Sequence, residues 1–325
     1  MRKILRGVKM NKSKQLTEGA LLTAVYIVLL LIVFFIPVLQ LVGIFVLPVP
    51  FAIYAAHHGW KPSIVMAFVA LLLTAMFATI VSLPMTLLSA IGGIVIGNGM
   101  HRKKNAYDTW ARGTVAYVVG FVLILAMLQF VFSINIFDEI NLVIDEMMAT
   151  LNSITSQLQF GTDVESQLEI IEEQMRQFPD LLPSTMVIMS IIYALITQWV
   201  SYKVINRLNR ENYSFPPFKQ LNFPPAIIWL YLLALIVSFV GGADQGSTLG
   251  IVIVNAMALL SILLIIQGFS FIFFIADYKK IHKAVPIGAV VVTLLIPFIF
   301  MFLIEITGII DLGISLKKRI SESKS

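Results

Sequence analysis

Six ionisable side chains lie inside or beside long apolar stretches, and these are the first residues that could carry chemistry. Every histidine among them stands within four residues of a lysine or arginine, a position more typical of an interfacial anchor than of a ligand. Carboxylates within a membrane segment are costly and therefore functional candidates. Glu18 and Glu305, the two carboxylates in this set, are however expected near a span end, where they reach water. The six residues are His57, His58, His101, His282, Glu18 and Glu305.

Motifs for catalysis or metal binding are absent from the sequence. It has no His-x-x-x-His pair, no glycine-rich phosphate loop and no serine elbow. With zero cysteines, the chain forms no disulfide and offers no thiolate to a metal. We therefore expect no catalytic residue, no metal ligand, no cofactor and no enzymatic activity. An integral membrane enzyme acting on lipids would need a cluster of polar groups that this sequence lacks.

Composition places the chain in a membrane. It is 58% hydrophobic and only 13% charged, whereas soluble proteins average about 25% charged residues. The net charge of +5 comes from bases spread over helix ends, which indicates contact with anionic lipid head groups rather than with nucleic acid. The sequence therefore predicts an all-α polytopic integral membrane protein of a bacterial cell membrane.

Nine apolar stretches are candidates for membrane spans, since a helix needs about 20 apolar residues to cross the bilayer core. They cover residues 17–36, 38–56, 63–83, 84–100, 109–133, 184–204, 225–240, 249–275 and 286–310. The resulting domains are a basic cytoplasmic N-terminus (1–16), a six-span membrane domain (17–208), a cytoplasmic loop (209–224), C-terminal transmembrane helices (225–310) and a polar tail (311–325).

Charge asymmetry predicts the orientation of these spans. The segment 134–183 carries ten acidic residues against the lone Arg176, whereas the other sizeable connections are basic. Because Lys and Arg stay on the cytoplasmic side, the N-terminus is expected inside and the acidic segment outside the cell. Nine spans would then put Lys317, Lys318 and Arg319 outside. Either this tail escapes the rule, or one segment is re-entrant and the count is eight.

The acidic segment has the pattern of a helical hairpin. Apolar residues from Phe137 to Leu158 recur at helical spacing, and Gly161 then breaks the pattern. Thr162 with Glu165 is typical of a capping box and begins a second amphipathic helix that extends to Phe178. One interpretation is a hairpin that shields its apolar stripe on the membrane body. The other is a lid over an outward-facing cavity.

Small residues form two patches that would let helices approach closely in lipid. The first consists of Gly19, Ala20 and Ala24. The second consists of Gly93 and Gly97, followed by Asn98. Packing between helices of the same chain explains either patch, and we assign the second one to such packing. The first is also a candidate docking face for another membrane protein.

The order of several motifs resembles a known transporter component. Leu16 to Ala24 (LTEGALLTA) resembles the first helix of the substrate-binding S-components of energy-coupling factor (ECF) transporters, with their Ala-xxx-Ala coupling motif at Ala20 and Ala24. The turn 49–62 and the Gly-rich helix 92–104, which ends in a basic cluster, resemble later parts of that fold. The stretch 16–62, together with the three extra C-terminal spans, resembles the YybS-like family of predicted membrane proteins, whose substrate is unassigned.

This resemblance implies a six-helix S-component-like bundle with three further transmembrane helices and an extracytoplasmic hairpin. It also implies a membrane-embedded subunit that binds a small molecule and works with a coupling protein and ATPase subunits. The expected cavity lies in the outer half, and each candidate for it is a lone polar residue that a neighbouring helix could equally satisfy. The candidates are Gln40, Ser89, Gln129, Ser190 and Tyr193. The alternative is a structural or regulatory membrane protein that binds a partner through its acidic hairpin.

Overall fold

A computed structural model describes residues 12–157, 162–240 and 247–322, without the side chains of 162–166 and 298. The basic residues before Lys12, the expected break at Gly161 and the capping-box side chains lie outside this description. Every helix longer than a single 3₁₀ turn in these ranges is an α-helix. They are α1 (Lys12–Phe35), α2 (Pro37–Gly43), α3 (Val49–His58), α4 (Trp60–Phe77), α5 (Leu83–His101), α6 (Ala106–Phe130), α7 (Ile136–Gln157), α8 (Thr162–Met175), α9 (Leu182–Asn209), α10 (Ala226–Val240), α11 (Thr248–Tyr278), α12 (Ala284–Leu295), α13 (Pro297–Ile314) and α14 (Leu316–Glu322).

Long apolar helices confirm the polytopic membrane fold. Within the described ranges, six helical segments are long and apolar enough to cross a membrane, and α13 with the bent α14 raises the number to seven. No strand occurs in the part of the chain that the structure describes. The prediction of an all-α polytopic membrane protein is therefore confirmed.

The chain divides into two compact units. Unit 1 comprises Met1–Leu142 and Met186–Ser214, and unit 2 comprises Val143–Thr185 and Phe215–Ser325. Most of the acidic segment thus groups with the C-terminal helices, whereas the sequence analysis placed it within the six-span domain. The reason is that Asp180 and Ser184 bond to Asn255 on α11. The local sequence pattern does not predict these contacts.

Unit 1 is built around close contact between α3 and α5. A Cβ atom on Gly93 would lie 2.4 Å from the Pro48 carbonyl oxygen, and one on Gly97 would lie 2.2 Å from that of Ala52. Both glycines therefore let two backbones touch, which is the packing role expected for them. The expected span 38–56 is not one continuous helix, because a turn containing Pro48 separates α2 from α3.

Unit 2 is held together by a second pair of glycines, where α11 crosses α13. A Cβ atom on Gly268 would lie 2.1 Å from the Ile304 carbonyl oxygen, and one on Gly308 would lie 1.9 Å from that of Leu264. The two helices therefore meet backbone to backbone. Helix α10 packs beside them through Ile227, which belongs to a core that includes Leu264 and Leu312.

The expected last span, 286–310, breaks in the middle. Helix α12 has 12 residues and is about 18 Å long, too short for a hydrocarbon core of about 30 Å. Helix α13 begins at Pro297, and its Asp311 contacts Gln267 of α11, while Lys317 of α14 contacts Ser270. The expected span 286–310 is therefore divided into two helices at Ile296.

One of the C-terminal cations contacts the basic loop before α10. The Lys317 ammonium donates to the Leu221 carbonyl oxygen at 2.8 Å, just after Lys219, which pairs with Asp277 at 2.6 Å. The C-terminal tail and this basic loop thus lie at the same end of unit 2. Length and composition give six or seven candidate spans among the described residues, so the choice between eight and nine spans stays a prediction.

The base of the hairpin lies at the other end of unit 2. Arg176 joins α8 to α7 by binding Asp145 at 2.9 Å. The Asn255 side chain on α11 then bonds the Asp180 carbonyl oxygen at 2.7 Å and the Ser184 amide at 2.8 Å. Asn255 is separated from Asp277 by about 33 Å along the helix, at 1.5 Å per residue. The acidic segment and the basic loops therefore lie at opposite ends of unit 2.

Candidate functional site

A carboxylate held between two histidines lies at one end of unit 1. Glu18, in the second turn of α1, binds His57 Nδ1 with one oxygen and His58 Nε2 with the other, the second at 2.9 Å. The two histidines end α3, so both rings reach the same carboxylate from the last turn of one helix. The Asn209 side-chain amide donates to His57 Nε2 at 2.7 Å, which leaves the proton on Nδ1 to donate to Glu18.

This cluster joins four helix ends. Glu18 lies at the start of α1, and Asn209 ends α9. His101 at the end of α5 also belongs to the cluster, since its Nδ1 contacts the Ala56 carbonyl oxygen of α3 at 2.9 Å. The sequence analysis treated these histidines and Glu18 as separate interfacial residues. Among the residues that the structure describes, no three His, Cys, Asp or Glu side chains are placed to share one metal ion. The arrangement can hold these helix ends in register.

A groove opens beside the cluster, between α1 and α4. Its volume of about 370 Å³ is near the lower end for small-molecule sites. Most of its lining is apolar, and the Thr23 hydroxyl already donates to the Gly19 carbonyl oxygen at 2.7 Å. The lining residues are Gln15, Leu16, Gly19, Ala20, Thr23, Tyr54, Pro62, Val65, Met66 and Val69.

The three residues of the expected docking face do not share one surface. Ala20 and Ala24 are exposed on α1, whereas Gly19 is buried, and a Cβ there would lie 3.1 Å from the Tyr54 hydroxyl oxygen. Gly19 therefore belongs to the contact between α1 and α3. Asn98, the last residue of the second small patch, is half-buried on α5.

The five candidates for a ligand cavity fall into two groups. Gln40 and Gln129 are exposed, whereas Ser89, Ser190 and Tyr193 are buried in unit 1. The Ser190 hydroxyl donates to the Met186 carbonyl oxygen at 2.7 Å. The Tyr193 ring lies in an aromatic cluster, with centroid distances of 4.6 Å to Phe45, 5.2 Å to Tyr117 and 6.0 Å to Phe121.

A buried polar network in unit 2 was missed by the sequence analysis. Gln267 Nε2 donates to Asp311 Oδ2 at 2.5 Å and to Asn222 Oδ1 at 3.0 Å. Lys317 Nζ donates to Ser270 Oγ at 2.7 Å and lies 3.6 Å from Asp311 Oδ2. A buried charge needs such partners, because an unpaired one is costly in an apolar interior. The available signal was the pair Gln267 and Ser270, two polar residues three positions apart in a mostly apolar helix.

Glu305 lies midway along α13. One of its carboxylate oxygens, Oε1, is buried without a hydrogen-bond partner among the described residues. The Tyr231 hydroxyl of α10 interacts with the same carboxylate. Its expected position near the outer end of the last span stays a prediction.

The loop after α9 is fixed by one asparagine. The Asn206 side chain accepts from the Tyr213 amide at 2.8 Å and donates to the Tyr213 carbonyl oxygen at 2.7 Å. The Tyr213 ring stacks on that of Tyr202, with centroids 5.2 Å apart. Burial, followed by the nearby charge of Glu211, raises the pKa of Tyr213 to about 12. The phenol is neutral at physiological pH, as a tyrosine with an unshifted pKa also is.

Six or seven long apolar helices in the described ranges define a polytopic integral membrane protein. Residues 24–312 match the family described as "Predicted membrane protein (DUF2232)", and the chain belongs to this family. It is 28% identical over 312 residues to the "Uncharacterized protein YybS" of Bacillus subtilis (strain 168), which covers 96% of this chain and 100% of that protein. The resemblance to YybS-like proteins is thus confirmed, and the relation to S-components stays a prediction. No solved structure matches the chain.

Proposed function

We propose that this protein is the membrane-embedded, small-molecule-binding subunit of a transporter, resembling an ECF S-component. One observation carries the proposal: Ala20 and Ala24 are exposed on α1. The space beside Gly93 and Gly97, by contrast, is occupied by neighbouring backbone within unit 1. Two small residues left open on a membrane helix suit the docking of a second helix.

The physical basis for docking is the absence of a hydrophobic drive between helices in lipid. Association there depends on van der Waals contact and on how closely two backbones approach, so small residues mark interfaces. Leu21 and Val25 beside the two alanines are also exposed, and they would frame the contact. On this proposal, a coupling protein docks on α1 and ATPase subunits act through it.

Replacing the alanines tests the docking face. In Ala20→Leu and Ala24→Leu, the larger apolar side chain points into lipid, so the thermal midpoint in detergent should stay unchanged. Membrane partners should no longer co-purify with either variant. Ala111→Leu, at an exposed site on α6, is the matched control and should keep the partners. If the two alanines are packed internally, the larger side chains should instead overfill a helix contact and lower the free energy of unfolding by about 1–3 kcal/mol. A lowered midpoint with unchanged co-purification would refute the docking face.

The ligand is expected in the interior of unit 1, near Ser190 and Tyr193. Mass spectrometry of the detergent-purified protein should find a retained small molecule. Tyr193→Phe and Ser190→Ala should reduce the amount retained, because each removes one hydroxyl from the buried site. Gln129→Ala, at an exposed position, should leave it unchanged. Retention that is equal in all variants would exclude this position for the ligand.

A second candidate function is binding of an extracytoplasmic partner through the acidic hairpin. The observation that favours it is the number of acidic residues that are exposed on α7 and α8, of which Arg176 pairs with only one, Asp145. The exposed acids are Asp138, Glu139, Asp145, Glu146, Glu169 and Glu173. Replacing Glu139, Glu146, Glu169 and Glu173 with Gln should release such a partner and leave binding at Ala20 and Ala24 intact. The reverse pattern would favour the transporter subunit.

A further inference from the structure

We propose that the groove between α1 and α4 binds an anionic phospholipid. One acyl chain would lie in the groove, and the phosphate would lie at its mouth between Lys12 and Lys61. This inference does not require the transporter role. The groove shares Ala20 with the proposed docking face, so a docked helix and the acyl chain would meet at that residue.

The groove faces lipid and is apolar along its length. Its rim is formed by Leu16, Val65 and Val69, which are 71%, 63% and 40% exposed. Its floor is formed by Gly19 and Met66, which are buried. Water gains nothing from filling an apolar groove, whereas a hydrocarbon chain makes dispersion contacts along it. A flexible acyl chain is therefore the natural occupant of such a surface.

The direction of the groove matches that of a phospholipid. It extends along α1 from Gln15 to Thr23, which is about 12 Å at 1.5 Å per residue. Helices α1 and α4 both begin at the same end, near Gln15 and Pro62. The groove thus opens at the end of the helices and runs towards the middle of the apolar segment, as an acyl chain does below its head group.

Cations at the mouth supply the charge complementarity. Lys12 is exposed one turn before Leu16, and Lys61 is exposed next to Pro62. Neither lysine forms an ion pair with another described residue, and Lys61 lies 5.8 Å from the centroid of the Trp60 ring. The nearby carboxylate of Glu18 is already bound by two histidines. The mouth therefore presents two positive charges to an anionic group.

Trp60 marks the depth of this mouth. It is 42% exposed at the start of α4, and tryptophan is enriched where the bilayer meets water. Lysines at that depth contribute about 1 kcal/mol each to binding an anionic lipid surface. A free phosphate would use the same lysines but would leave the apolar groove unused. The combination of cations and groove therefore favours a lipid over a free anion.

The head-group arm of the test uses native mass spectrometry of the purified protein with phosphatidylglycerol or phosphatidylcholine of identical chains. Phosphatidylglycerol should be retained preferentially. Lys12→Gln and Lys61→Gln should each lower its affinity about fivefold, which corresponds to about 1 kcal/mol. Lys279→Gln, an exposed lysine of unit 2, should have no effect. Equal retention of the two lipids, or an equal loss in the control variant, would overturn the proposal.

The acyl-chain arm separates the groove from the lysines. Val65→Phe should fill the groove and reduce retention of phosphatidylglycerol severalfold, without changing the thermal midpoint in lipid-free detergent. Ile64→Phe, exposed on α4 outside the groove, is the matched control and should retain the lipid. Unchanged retention in Val65→Phe would contradict the proposal. A photocrosslinker at Val65 that captures a polypeptide instead of lipid would do so as well.

Discussion

The Lys317 ammonium nitrogen lies 3.6 Å from the Asp311 carboxylate, and the Asp311 side chain is only 1% exposed. Asp311 also accepts from the Lys317 backbone amide at 3.1 Å. The two residues flank the left-handed turn at Ser315 that ends α13. One ion pair therefore fixes both the bend into α14 and the position of the tail beside α11.

Breaking this pair from one side should strongly destabilise the protein. Lys317→Met leaves the Asp311 carboxylate buried without its counter-charge, which costs about 3–5 kcal/mol in comparable buried pairs. The double variant Asp311→Leu/Lys317→Met should recover much of that loss. Lys318→Met removes an exposed lysine and serves as the control. The stability of the three variants is compared by their thermal midpoints in detergent. Equal midpoints for Lys317→Met and Lys318→Met would disprove a structural role for the pair.

The crossing of α11 and α13 should not tolerate a side chain at Gly308. A Cβ there would lie 1.9 Å from the Leu264 carbonyl oxygen, and backbone cannot rotate away as a side chain can. Gly308→Ala should therefore lower the free energy of unfolding by about 1–3 kcal/mol. Gly288→Ala is the matched control, because nothing lies within 4 Å of its Cβ. In a denaturing detergent, the free energy of unfolding of Gly308→Ala should be lower than that of the wild type. That of Gly288→Ala should be equal or higher.

The contact of Glu18 with two histidines should stabilise unit 1. Glu18→Ala removes the shared acceptor of His57 and His58, and hydrogen bonds to a charged group contribute about 1.5–3 kcal/mol when buried. Because the Glu18 side chain is 23% exposed, we expect a loss near the lower end of this range. Glu146→Ala, an exposed acid on α7, is the control. If both variants have the wild-type thermal midpoint, the cluster has no structural role.

The helices were largely predictable, because apolar runs of about 20 residues have few alternatives in a membrane. The exceptions were 38–56, which a turn containing Pro48 divides, and 286–310, which breaks before Pro297. Hydropathy measures length and composition, and it does not register where an apolar run is divided into two helices.

The site was predictable only in part. Spacing identified Ala20 and Ala24 as small neighbours on one helix, but the exposure of both, and the burial of Gly19, depend on where α3 packs. Likewise, Glu18 lies about forty residues from His57 in sequence, and no periodicity connects them. Contacts of this kind arise from tertiary packing, which a single sequence does not display.

Cysteine labelling should decide the topology, since the protein has no native cysteine. In intact cells, Ser156→Cys on α7 should react with an impermeant thiol reagent, whereas Arg102→Cys should be protected. Ser321→Cys distinguishes the two span counts. Because Lys317 contacts Leu221 in the basic loop, this cysteine should be protected together with Arg102→Cys, as eight spans and a re-entrant segment require. Labelling at Ser321 with protection at Arg102 would instead favour nine spans.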